Sequence, residues 1–250
     1  MSCCSSELMN TEEETGEELL VFIRTVYIEA GILCFVSAIT LLVISSLNIS
    51  VVNILPIPPY VWLIFALVLL AVLICLPIRR IRRLIPWIVV GGVVAFFTLS
   101  AACFMCIYDI PDLVLYLAIM VLVVVGLMVC GARCRKSFLP NGLVTAVIVT
   151  LCLAALLPLI FLSLASIRYF FASFSAVLSV LVMTVIPLQT QFIHGRLQYS
   201  PIGLEPICAT LIYLTSFALF ICICVFSIAI ESEILGAFNL HLAGLSTIPL

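Results

Sequence analysis

Charge is what this chain has least of. Of its 250 residues only 9% are Asp, Glu, Lys or Arg, against 66% apolar, where a water-soluble domain is roughly one-quarter charged. That shortage excludes a soluble globular protein, and the apolar excess excludes a disordered one. Lys and Arg number 10 against 12 acidic residues, so there is no basic surplus with which to bind nucleic acid. Histidine occurs twice, at His194 and His241, too few and too far apart for a histidine metal centre. His-Glu-x-x-His, Gly-x-Ser-Gly, Gly-x-Gly-Asp and Gly-x-x-x-x-Gly-Lys are all missing, which removes the zinc-hydrolase, serine-protease, aspartyl-protease and phosphate-loop readings. The expectation is a protein that is not an enzyme and carries no cofactor.

What is present is a series of long apolar runs. A membrane helix needs about 20 such residues. Seven stretches qualify: Val26–Leu47, Tyr60–Leu76, Trp87–Tyr108, Leu113–Cys130, Leu143–Ala165, Tyr169–Leu188 and Ile207–Ile230. Prolines or charges separate them, among them Pro56, Pro58 and Pro59, the arginines at 79, 80, 82 and 83, and Asp109-Ile110-Pro111-Asp112. Barrel strands are half as long and alternate in polarity, so the expected fold is all-α, a seven-transmembrane helix bundle in a lipid bilayer. Its parts are an acidic, disordered tail over 1–21, a membrane domain over 22–230 and a short tail over 231–250. Trp62 and Trp87 lie near stretch ends, where aromatic belts form.

Nine of the ten basic residues fall before the first stretch or in the loops after the second, fourth and sixth; Arg168 alone lies opposite. Positive charge stays in the cytosol, which puts the N-terminus there and, after seven crossings, the C-terminus on the lumenal or outer side. Six crossings with a re-entrant segment over His194–Pro206 is the alternative, and returns the C-terminus to the cytosol. A seven-helix receptor has the opposite orientation. Asn48-Ile49-Ser50 is a glycosylation sequon on the lumenal side, close enough to the membrane for poor use.

Ionisable groups inside such helices are costly and mark ion paths or partners. Glu29, one turn into the first stretch, either snorkels to the surface or faces a cavity. Asp109 and Asp112 flank a proline at a lumenal end, as a solvated turn or as the vestibule of a cation path. Thr184, Thr210, Thr215 and Ser216 read as polar glue between helices, and both histidines as solvated loop residues. Most of the 12 cysteines fall within or at the ends of the stretches, where cysteine acts as a small hydrophobe. Cys103 and Cys106 form a C-x-x-C read first as packing, and Cys134 lies among basic residues where acylation is an option.

Several segments together resemble the Bax-inhibitor/Lifeguard membrane family. Phe22-Ile23-Arg24-Thr25-Val26-Tyr27 is similar to its Phe-Ile-Arg-Lys-Val-Tyr start. Arg82-Arg83-Leu84-Ile85-Pro86-Trp87 and Tyr108-Asp109 resemble the beginning and end of its third helix. Gln189-Thr190-Gln191, Gly195, Tyr199-Ser200-Pro201, Ala209 and Tyr213 resemble its signature of Tyr-Asp-Thr-Gln, Gly, Tyr-Ser-x-Glu, Ala-Leu and Tyr-x-Asp. The resemblance runs from Phe22 to Phe226. It implies a seven-helix protein of endoplasmic reticulum or Golgi membranes, acting on cell death and on calcium ions through a pH-sensitive carboxylate pair.

That pair falls here on Gln189 and, with one residue inserted after Pro201, on Thr215. Neither side chain titrates. Gln189, Thr215, Glu29, Asp109 and Asp112 are therefore the candidates for a latch or ion path. An eroded signature on a compact chain is also similar to the divergent seven-helix set of cytomegaloviruses, which implies immune evasion, trafficking of surface ligands and virion maturation. The expected partners are the bilayer, calcium ions, host membrane proteins and a second copy in a homo-oligomer.

Overall fold

The computed structural model describes residues 3–47, 54, 57–77, 84–105, 108–133, 144, 146–152, 154–155, 170–196 and 202–245. They form α1 (Cys3–Ser46), α2 (Pro59–Cys75), α3 (Leu84–Met105), α4 (Ile110–Arg133), α5 (Phe170–Ile193) and α6 (Glu205–Leu245). Residues 146–152 are helical as well; the rest of the expected Leu143–Ala165 crossing lies largely outside the described residues.

Five of these helices are long and apolar enough to cross a membrane: Gly16–Ser46, Leu84–Met105, Ile110–Arg133, Ser173–Ile193 and Glu205–Ile230. At 1.5 Å per residue, a helix of about 20 residues matches a hydrocarbon core about 30 Å thick. α2, with 17 residues, is at the short end of that range. The chain is thus a polytopic helical membrane protein. α1 and α6 reach into the two segments read from sequence as tails. Glu, Leu and Ala are strong helix formers, and after Pro206 the next proline in that direction is Pro249.

Local sequence sets the helix ends. Pro59 opens α2, where a missing N–H costs nothing, and Leu76 leaves it in extended backbone ahead of Pro77. Asp112 lies in the first turn of α4 and Arg133 in its last, each complementing the helix dipole. α5 ends on Gly195 at φ 64°. The Arg196 N–H donates to the Gln191 carbonyl at 3.0 Å and the Gly195 N–H to the Phe192 carbonyl at 3.1 Å, the paired bonds of a Schellman motif.

α6 is the central helix, packed by α1, α3, α4 and α5, while α2 packs on α3. The fully buried side chains include Tyr213, Phe220 and Leu219 of α6, Leu41 and Val26 of α1 and Val90 and Val93 of α3. Large apolar side chains such as Ile32, Phe35, Leu67 and Leu122 face outward, as a lipid-facing surface requires. Buried polar side chains among the described residues include Ser37, Thr98, Ser175, Ser179, Thr190 and Ser216. Small hydroxyl residues let membrane helices approach closely and bond to one another.

Candidate functional site

Gln189 and Thr215 meet. Four residues before the end of α5, Gln189 presents its side-chain oxygen 3.3 Å from the Thr215 hydroxyl of α6. That hydroxyl also reaches the Leu211 carbonyl at 2.9 Å and the Ile212 carbonyl at 3.1 Å. One hydroxyl has one proton, and the shorter bond to its own helix takes it most readily. With the Gln189 amide turned over, its NH₂ donates to Thr215 and both side chains are satisfied. In either arrangement the contact is neutral and holds no titrating group.

The other three candidates lie elsewhere. Asp109 immediately precedes α4, its carbonyl accepts from the Leu113 N–H at 3.1 Å, and both Asp109 and Asp112 are exposed. Twenty-odd residues along α4, about 30 Å away, Gly131 packs against Pro187 and Thr190 of α5. Asp109 and Asp112 therefore sit at the opposite end of the bundle from Gln189. Glu29 is half-buried on α1.

A second polar constellation escaped the sequence. Ser37 of α1, Thr98 of α3 and Tyr213 of α6 form a triangle of hydroxyls, Ser37 lying 2.8 Å from Thr98 and 3.1 Å from Tyr213, and Thr98 lying 3.3 Å from Tyr213. All three are buried. Each donates once around the ring and accepts once, so a buried site in lipid is left with no orphaned proton. Next to it lie Cys34 of α1 and Ser216 of α6. A cavity of about 20 Å³ lies beside the triangle between α1, α4 and α6, on the scale of one water molecule and not of a hydrated ion. A third contact joins Ser175 and Ser179 of α5 to Cys222 of α6. Tyr108 donates to the Cys224 carbonyl at 2.8 Å and Tyr116 bonds to Ser227, which ties the start of α4 to α6.

Two expectations are corrected. His194 is not a solvated loop residue. It is half-buried at the end of α5, its Nε2 lies 3.3 Å from the Tyr27 hydroxyl, and the rings are 6.0 Å apart. The Schellman turn at Gly195 folds the chain back and carries the imidazole onto α1. Burial, and then Arg196, holds its pKa below the ordinary histidine value. His241 lies within α6. The expected glue is also mostly local. Thr184 donates to the Val180 carbonyl and Thr210 to the Pro206 carbonyl, each one turn back on its own helix, because a threonine hydroxyl reaches that carbonyl without strain.

Among the described residues no group of three His, Cys, Asp or Glu side chains could hold a metal ion. Cys103 is buried, and its C-x-x-C partner Cys106 lies outside the described residues, as do Cys134 and the Asn48 sequon. No protein-family model, no curated protein and no solved structure matches this chain.

Proposed function

We propose that this chain is a Bax-inhibitor-like seven-crossing membrane protein that modulates cell death, intracellular calcium or immune signalling by holding other membrane proteins, and not by passing ions. One observation carries this reading: the contact between Gln189 and Thr215 is neutral. A carboxylate pair at those positions would share a proton and respond to pH. An amide and a hydroxyl keep one charge state throughout the physiological range. On this reading the two positions touch across α5 and α6 without a group that titrates.

The reading includes endoplasmic reticulum or Golgi membranes, as the resemblance implies, and a cytosolic N-terminus, from the distribution of Lys and Arg. Divergence of the signature sets the chain beside the cytomegalovirus proteins, in which case the partners are host membrane ligands that it retains or misroutes. Affinity capture of the full chain from detergent-solubilised cells tests this. Recovery of membrane glycoproteins at near-stoichiometric yield is expected, whereas recovery of chaperones alone contradicts it.

A further inference from the structure

The cytosolic end of α5 carries a short relay of polar groups that the neutral Gln189–Thr215 contact does not involve. The Tyr27 hydroxyl of α1 lies against both Thr190 and His194, which are one turn apart on the same face of α5. Thr190 donates its own proton to the Ile186 carbonyl at 3.0 Å, so toward Tyr27 it accepts. The Tyr27 hydroxyl and His194 Nε2 are 3.3 Å apart, and the imidazole tautomer sets which of them donates.

The imidazole has little freedom to turn away. His194 donates its backbone N–H to the Thr190 carbonyl at 3.0 Å, and the two bonds of the Schellman turn hold the next two residues. Arg196 donates through Nη1 to the Gly131 carbonyl at 3.3 Å, near the C-terminal end of α4, where a cation is favoured. Leu19 of α1 lies within 3.2 Å of where a Cβ on Gly195 would stand. Phe22 and Val26 of α1 pack with Ile193 of α5 and with Cys208, Ala209 and Ile212 of α6 in one buried cluster. The first membrane turns of α1 thus rest on α6, and this corner adds their contact with α5.

We propose that the corner is an acid-released clasp: protonation of His194 puts an imidazolium beside the Arg196 guanidinium in a half-buried position, and the cytosolic half of α1 comes away from α5.

The charges around it favour that direction. Burial disfavours the imidazolium most, and the Arg196 charge on the same turn adds to it. From α1 the facing titratable group is Tyr27, with Arg24 exposed on the same helix; Arg133 ends α4 and is exposed; Glu205 begins α6 and is half-buried. The neutral imidazole is therefore the form that suits the packed corner. The clasp does not depend on whether the bundle passes ions.

Amide hydrogen exchange over residues 17–27, on the full chain in lipid nanodiscs and corrected for the intrinsic rate, tests it between about pH 7.5 and about pH 5.5, a window that spans ordinary histidine titration. The wild-type protein should lose protection several-fold on acidification, and His194→Gln, neutral throughout, should not. Arg196→Gln removes the repelling charge and lets the closed corner hold the imidazolium, so the midpoint of the loss should shift to lower pH. A wild-type response that is flat, one that persists in His194→Gln, or a midpoint that Arg196→Gln leaves unmoved or raises overturns the proposal. Should His194→Gln not fold, the Arg196→Gln midpoint decides alone.

Discussion

Gly131 of α4 faces Pro187 of α5 with no room between them. A Cβ built on Gly131 would stand 2.9 Å from the Pro187 carbonyl oxygen, 3.0 Å from its Cα and 2.9 Å from the Cβ of Thr190. Two of those atoms are backbone and cannot rotate aside, so the helices would have to part. Gly131→Ala should cost about 1–3 kcal/mol, the usual range for overpacking, and strain the Arg196 bond to the Gly131 carbonyl. Gly126→Ala on the same helix meets nothing within 4 Å and should be close to neutral. Thermal unfolding in one detergent compares the two.

Tyr213→Phe removes one corner of the hydroxyl triangle and leaves the 2.8 Å contact between Ser37 and Thr98. Both remaining hydroxyls keep a partner, so the loss should be modest, about 0.6–1.7 kcal/mol as for other interhelical bonds in membranes. A double-mutant cycle with Ser37→Ala should show positive coupling between the two positions. Additive losses would mean that the 3.1 Å bond contributes nothing.

His194 gives the protein an acid-sensitive stability. Its folded pKa is held below the ordinary value by burial and by Arg196, so the unfolded chain takes up a proton first as pH falls. Stability should be fully present above about pH 6.5, decline as pH drops through that value, and level off once the folded protein is protonated as well. Melting curves of the wild type and His194→Gln across that range check the sign: the difference between them should open on the acid side only.

Gln189→Asp together with Thr215→Asp puts carboxyl groups at two positions already in contact. Such a pair shares a proton and one member titrates late. The double variant should give a calcium leak in liposomes that changes with pH. Flux that stays at the level of empty vesicles would mean that these positions do not form a latch in this chain.

Much of the architecture is legible from apolar run length alone, because a stretch of about 20 apolar residues has one stable state in lipid. Each of the six helices overlaps one of the stretches marked out in the sequence. The interior is not legible in the same way. Helices apolar on every side have no 3.6-residue stripe to tell inside from outside, so Ser37 and Thr98 look no different from the exposed Thr40. The meeting of Tyr27 with His194 joins residues far apart in sequence through a glycine turn, and hydropathy carries no trace of it. The proximity of Gln189 and Thr215 was reachable only through the spacing on which the resemblance in the sequence rests.

On the proposed reading Gln189 and Thr215 make a neutral contact and the bundle passes no ions. Calcium flux through the purified wild-type protein in liposomes, at about pH 6 and about pH 8, on either side of neutrality, tests it most directly. The account predicts flux equal to that of empty vesicles at both values. Flux above that background at either pH would contradict it.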